Sequence, residues 1–143
     1  MINSGETYSE CSAKAALFRV DSHAGEGMVL LLEDPSYEHM DLPGGHLHKG
    51  ETSYEAVKRE IREEIGQRAT SLAFVVTFEN HERKKTIHGF AGEIVEVDIE
   101  VPLGEAAKPK WVRVEDVAKD IEATEYRDFI LQAYSFWLTQ GKS

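Results

Sequence analysis

The chain has 143 residues, 41% of them hydrophobic, and a formal net charge of -10 at pH 7. That length suits a single domain over residues 1–143 with a substantial buried core, and the acidic balance excludes a binder of nucleic-acid polymers, which needs a basic stripe to neutralise phosphates. No apolar run approaches the ~20 residues that cross a bilayer, and residues 1–11 lack the basic start and apolar stretch of a secretory leader, so the expectation is a cytoplasmic monomer or homodimer with no membrane partner and a mobile leading segment.

Cys11, the single cysteine, reads as an ordinary surface or half-buried thiol. Lys14 to Val20 and Met28 to Leu32 are short apolar runs separated by the turn-forming stretch Asp21 to Gly27, which predicts two strands in an antiparallel pair. Asp34-Pro35-Ser36 ends the second strand, and a loop runs on through Asp41-Leu42-Pro43-Gly44-Gly45. Thr52-Ser53-Tyr54-Glu55 has the form of a capping box and opens a helix that ends at Gly66. Tyr54, Val57, Ile61 and Ile65 share one side of that helix as a packing stripe. Beside the stripe, Glu60, Glu63 and Glu64 fall within an arc of roughly 100°.

Further on, Leu72 to Glu79 and Ile87 to Val101 read as the strands of a hairpin, the second alternating through Ile94, Val95, Val97, Ile99 and Val101. Their connection, Asn80 to Lys85, holds the densest basic cluster in the chain. A solvated hairpin tip is its first reading, and a clamp on a terminal phosphate the second. Trp111 to Val114 predicts a short strand, Glu115-Asp116-Val117 a helical turn, and Thr124 to Thr139 an amphipathic helix with Tyr126, Phe129, Ile130, Ala133, Phe136 and Trp137 on its core face.

Three like charges on one helical face repel, and a common use of clustered carboxylates is to hold a hard divalent cation through oxygen ligands. The alternative is a solvated face paired with Lys58, Arg59 and Arg62. The spacing around the helix separates the two. It reads Gly45, five residues, Glu51, seven residues, Arg59-Glu60-Ile61, one residue, Glu63-Glu64, one residue, Gly66. This pattern resembles the signature of the Nudix (MutT-like) hydrolases. It departs from that signature at the last position, where Gln67 replaces a bulky apolar residue, and it covers roughly a sixth of the chain.

The resemblance implies an α/β fold: an α/β/α sandwich with a mixed sheet, the signature forming loop, helix, loop. It implies hydrolysis of the pyrophosphate linkage of a nucleoside diphosphate derivative, with Mg2+ as cofactor and Mn2+ as a substitute. Glu60, Glu63 and Glu64 match the family's metal positions, and the Gly44 carbonyl would be a further ligand. Arg59 is expected to orient a glutamate bidentately, with Glu51 bracing the loop. The resemblance implies a general base that is either a glutamate of the signature or one from a later loop, for which Glu105 is the first candidate and Glu82 and Glu93 the next, with Glu60, Glu64 and Arg59 as the signature's catalytic residues. His46 and His48 alternate in the loop as a zinc site would, without the partner pair a closed site needs. The secondary markers for ADP-ribose and dinucleoside polyphosphates are absent from Asn80-His81-Glu82-Arg83-Lys84, and the length leans towards a nucleoside triphosphate or similar small nucleotide. Two other readings remain open at this point: a Nudix-like module that binds a nucleotide without cleaving it, and a plain acidic cation-binding protein, although the loop lacks the Asp and Asn pattern of an EF-hand.

Overall fold

The computed structural model describes residues 10–20, 27–33, 40–94 and 108–141. Strand β1 (Glu10–Val20) takes the centre of the sheet because both of its faces are apolar. Successive strand residues point to opposite sides. Ala13, Ala15 and Leu17 therefore join Leu30 and Phe90 in one core cluster, while Ala16 and Phe18 join Val29, Leu31, Ile87 and Ala91 in another.

Strand β2 (Gly27–Glu33) runs antiparallel to the end of β1, with Phe18 opposite Val29, as the two apolar runs predict. Strand β3 (Gly44–His46) pairs antiparallel with the start of β1, on the same side of it, with Ser12 opposite His46. The hairpin of β4 (Thr70–Asn80) and β5 (Lys85–Glu93) docks against the other edge of β1, and β5 is parallel to it from Glu10 opposite Lys85 to Phe18 opposite Glu93. Strand β6 (Lys108–Arg113) closes the far edge against β2, giving the order β4-β5-β1-β2-β6 in a mixed sheet.

Helix α1 (Ser53–Ile65) covers one face with Ala56, Val57, Ile61 and Ile65. Helix α2 (Thr124–Gly141) covers the other with Phe129, Ile130, Ala133 and Trp137, so the layers form an α/β/α sandwich. The predicted capping box is present at Thr52 and Glu55, and Gly66 ends α1 in the left-handed conformation at φ 80°. None of the helices in the described residues is long and apolar enough to cross a membrane.

Several expectations need correction. Gly44 to His46 is a short strand rather than loop, because its backbone completes the edge of β1 that β2 leaves free. Tyr54 is 45% exposed instead of packed on the sheet: it lies at the margin of the stripe, tilted against Phe90. Strand β4 starts at Thr70, two residues early, through an irregular stretch with register shifts and Ser71 at φ 54°. Strand β5 ends at Glu93, and Ile94 is buried just past it, with its N–H donating to the Phe18 carbonyl. Val114 belongs to a 3-10 turn (Val114–Lys119), not to β6. The stretch from Asp21 to Glu26, Asp34-Pro35-Ser36, residues 95–101 and Glu105 lie outside the described residues.

Candidate active site

Strand β3 and helix α1 meet at two glycines. Gly44 has φ 140°, and a Cβ there would lie 2.1 Å from the Ala13 carbonyl oxygen, so only glycine fits this close approach to β1. Its N–H donates to Glu64 Oε1 at 2.9 Å. A Cβ on Gly45 would lie 2.6 Å from Glu60 Oε2, so the Glu60 carboxyl rests directly on that residue. Glu60 and Glu64 are four apart and form one row along α1, aimed at the β3 backbone.

Arg59 organises the acids around this row. Its Nε and Nη2 grip Glu51 bidentately at 2.6 and 3.1 Å. Nη1 donates to Glu60 at 3.0 Å and to Glu63 at 3.3 Å, and Nη2 also donates to the His46 carbonyl at 3.1 Å. Glu51 accepts the His48 N–H as well, at 2.7 Å. The Arg59 hydrogen bond, helped by that N–H, holds the Glu51 carboxyl down at about 2, and Glu51 in turn raises Arg59. Glu51 and Arg59 are thus a structural brace, and through Nη1 the same brace fixes Glu60.

Glu64 has the opposite character. Burial pushes its carboxyl up to about 7, against the Gly44 N–H and the positive charge of Lys14, while Glu60 and Asp41 add repulsion. Glu64 is thus a carboxyl whose ionisation burial and neighbouring acids oppose, and a cation bound beside it would offset both. All the donors here are oxygens, which suits a hard divalent ion better than zinc or copper. Among the described residues, however, no three His, Cys, Asp or Glu side chains gather into a ready ligand set. The reason lies in Arg59, which draws Glu63 to itself and leaves it half-exposed.

Of the expected site residues, Gly44, Arg59, Glu60 and Glu64 meet in one place, and Glu63 joins them through Arg59. Glu105 lies outside the described residues. Glu93 points the other way, accepting from the Trp137 indole N–H at 3.4 Å on the α2 side of the sheet. Glu82 lines a cavity of about 170 Å³ with Asp41, Asn80, Arg83 and Tyr126. His46 is a partner of Lys85, whose Nζ lies 2.7 Å from its Nε2, and His48 contributes its backbone N–H to the Glu51 brace. The basic hairpin tip is exposed from His81 to Lys84.

Four polar residues at the site were missed in the sequence. Lys14 Nζ donates to Asp41 Oδ2 at 3.0 Å and to the Leu42 carbonyl at 3.2 Å. Burial opposes the Lys14 charge, but Asp41, Tyr126 and Glu64 outweigh it and the pKa is raised. Beyond Asp41, Asn80 donates to the Tyr126 hydroxyl at 3.4 Å and accepts the Arg83 N–H at 3.2 Å. A charged residue at an inward position of an apolar run was the available signal for Lys14. Tyr126 looked like any other aromatic of an amphipathic helix.

The NUDIX domain model matches residues 12–133. An asymmetrical bis(5'-nucleosyl)-tetraphosphatase of Mus musculus is 23% identical over 125 residues, spanning 82% of this chain and 84% of its own. A putative 8-oxo-dGTP diphosphatase of Bacillus subtilis is 33% identical over 84 residues, 59% of this chain and 56% of its own. Among solved structures, a binary complex of the C. elegans Ap4A hydrolase superposes with a TM-score of 0.73 at 23% identity, covering 91% of this chain and 98% of that one. With the signature helix, its glycine-bearing strand and all of the sandwich but its two ends inside the matched span, the chain belongs to the Nudix family of hydrolases.

Proposed function

We propose that this protein is a single-domain, Mg2+-dependent pyrophosphohydrolase of nucleoside polyphosphates, with Mn2+ able to replace Mg2+. The observation that carries this reading is the row of Glu60 and Glu64 set against Gly44 and Gly45 and fixed by Arg59. A divalent cation bound there supplies charge neutralisation and polarises phosphoryl oxygens. Glu60 and Glu64, with the Gly44 carbonyl and Glu63, are the residues that would hold it. In the reaction, a water oxygen bonds to phosphorus, the bridging P–O bond breaks, and the leaving phosphate takes the electron pair. The proton of the water goes to a carboxylate, Glu64 or Glu105. Arg59 contributes by orientation, since its guanidinium is already shared among three glutamates. The cavity beside Asp41 and Arg83 would receive part of the substrate remote from the bond that breaks.

Nucleoside triphosphates are the first substrate class. Dinucleoside polyphosphates are the second, favoured by the tetraphosphatase relative that aligns over most of both chains. A phosphate-release panel with chromatographic identification of products separates them. Mg2+-dependent cleavage of one class supports the assignment. Tight nucleotide binding with no turnover of either would assign the chain to the binding modules instead.

A further inference from the structure

The acids occupy one margin of α1, and a basic row occupies the other. At about 100° per residue, α1 carries three rows. Glu60 and Glu64 form one, the buried Val57, Ile61 and Ile65 form the next, and Tyr54, Lys58 and Arg62 form the third, across the apolar stripe from the acids. That third row is one wall of a cleft of about 490 Å³ between α1 and the start of β4, with Arg68 and Leu72 on the opposite side. The volume lies in the range of small-molecule sites.

The charge of this cleft is opposite to that of the molecule. In a chain of net charge -10, its walls include Lys58, Arg59, Arg62 and Arg68 against a single acid, Glu55. Glu55 is engaged at the helix start, where it accepts the Thr52 N–H, and Arg59 is held by Glu51, Glu60 and Glu63. No ion pair with a carboxylate among the described residues engages the remaining three cations. Lys58 instead lies 5.2 Å over the Tyr54 ring. Cations without a carboxylate partner in a concave wall provide a site for a multiply charged anion, and two guanidinium groups favour phosphate because each can bond it bidentately. The floor is apolar, from Ile61 and Leu72, and the exposed Tyr54 ring at the rim offers a stacking face.

We propose that this cleft is a second, non-catalytic site for a nucleoside phosphate, with the phosphates on Arg62 and Arg68 and the base on Tyr54. It lies across the apolar stripe from the carboxylate row, sharing only Arg59 with it, and works without a divalent cation, because its own side chains carry the positive charge. This distinction sets the test. ADP is titrated into the 15N-labelled full chain in EDTA, with inorganic pyrophosphate as a second probe, and the amide resonances are followed.

The expected result is saturable shifts at Tyr54, Lys58, Arg62 and Arg68 to Leu72, weakening with added salt, with ADP binding more tightly than pyrophosphate. The double variant Arg62→Glu/Arg68→Glu should bind ADP at least ~10-fold more weakly, a difference of ~1.4 kcal/mol, while retaining its fold and its Mg2+-dependent turnover. Tyr54→Ala should remove the preference for ADP over pyrophosphate. No shifts at millimolar ADP, shifts confined to Gly44, Asn80 and Tyr126, or unchanged affinity in the charge-reversed variant would each overturn the proposal. None of these outcomes bears on whether Glu60 and Glu64 act in catalysis, which the nucleotide panel reads separately.

Discussion

Glu64 and Glu51 are both signature glutamates, yet their surroundings drive them in opposite directions. Two donors hold Glu51 ionised, whereas burial holds Glu64 near neutrality. The folded pKa of Glu64, about 7, lies above the ~4.3 of an unfolded chain. Its stability contribution is therefore complete below the unfolded value and lost as pH rises through about 7. Melting curves in chelator should show Glu64→Gln gaining on the wild type from pH 5 to pH 8. Added Mg2+ should stabilise the wild type more than the variant, since binding to the folded state alone raises stability. A constant gap across pH would contradict the assigned environment. On the catalytic side, Glu60→Gln or Glu64→Gln should lower turnover by at least ~100-fold with circular dichroism unchanged, the scale of a lost positioned group. Near-normal rates in both would remove them from the mechanism.

Helix α1 was legible because its information is local. Thr52, Glu55 and Gly66 carry its ends, and the spacing of Val57, Ile61 and Ile65 carries its buried face. Thr52→Ala should cost about 1 kcal/mol in chemical denaturation, as loss of an N-cap does, and leave the rate within a few fold. The hairpin of β4 and β5 was legible for the same reason, from two runs and a polar connection. The parallel pairing of β5 with β1 was not, because no local pattern encodes a register between strands more than sixty residues apart. Strand β3 reads as loop in the sequence because its three residues include two glycines and its partner is distant in the chain. Lys14 is hidden within an apolar run, and only the fold shows that it links Asp41 to the neighbourhood of Glu64. Gly44→Ala tests the contact between β3 and β1. A methyl group 2.1 Å from the Ala13 carbonyl oxygen forces the strands apart, so both stability and turnover should fall. Loss of stability alone would mean that Gly44 does not place Glu64.

At the scale of the whole molecule, charge sets the terms. A chain of net charge -10 repels a free polyphosphate, so a row of acids could serve its cleavage only with cations between protein and substrate. The sandwich serves this by placing Glu60 and Glu64 of α1 against the backbone of β3, while Lys58 and Arg62 of the same helix line the cleft across the apolar stripe. The signature announced the first arrangement, but the second required the fold, since Arg68 reaches the cleft from beyond the helix end. The central claim is that Glu60 and Glu64 hold a divalent cation. Calorimetric titration of the full chain with Mg2+, repeated with Mn2+, tests it directly against the double variant Glu60→Gln/Glu64→Gln. Saturable binding by the wild type, weakened at least ~10-fold in the folded variant, is the predicted result; equal binding by the two proteins would contradict the account.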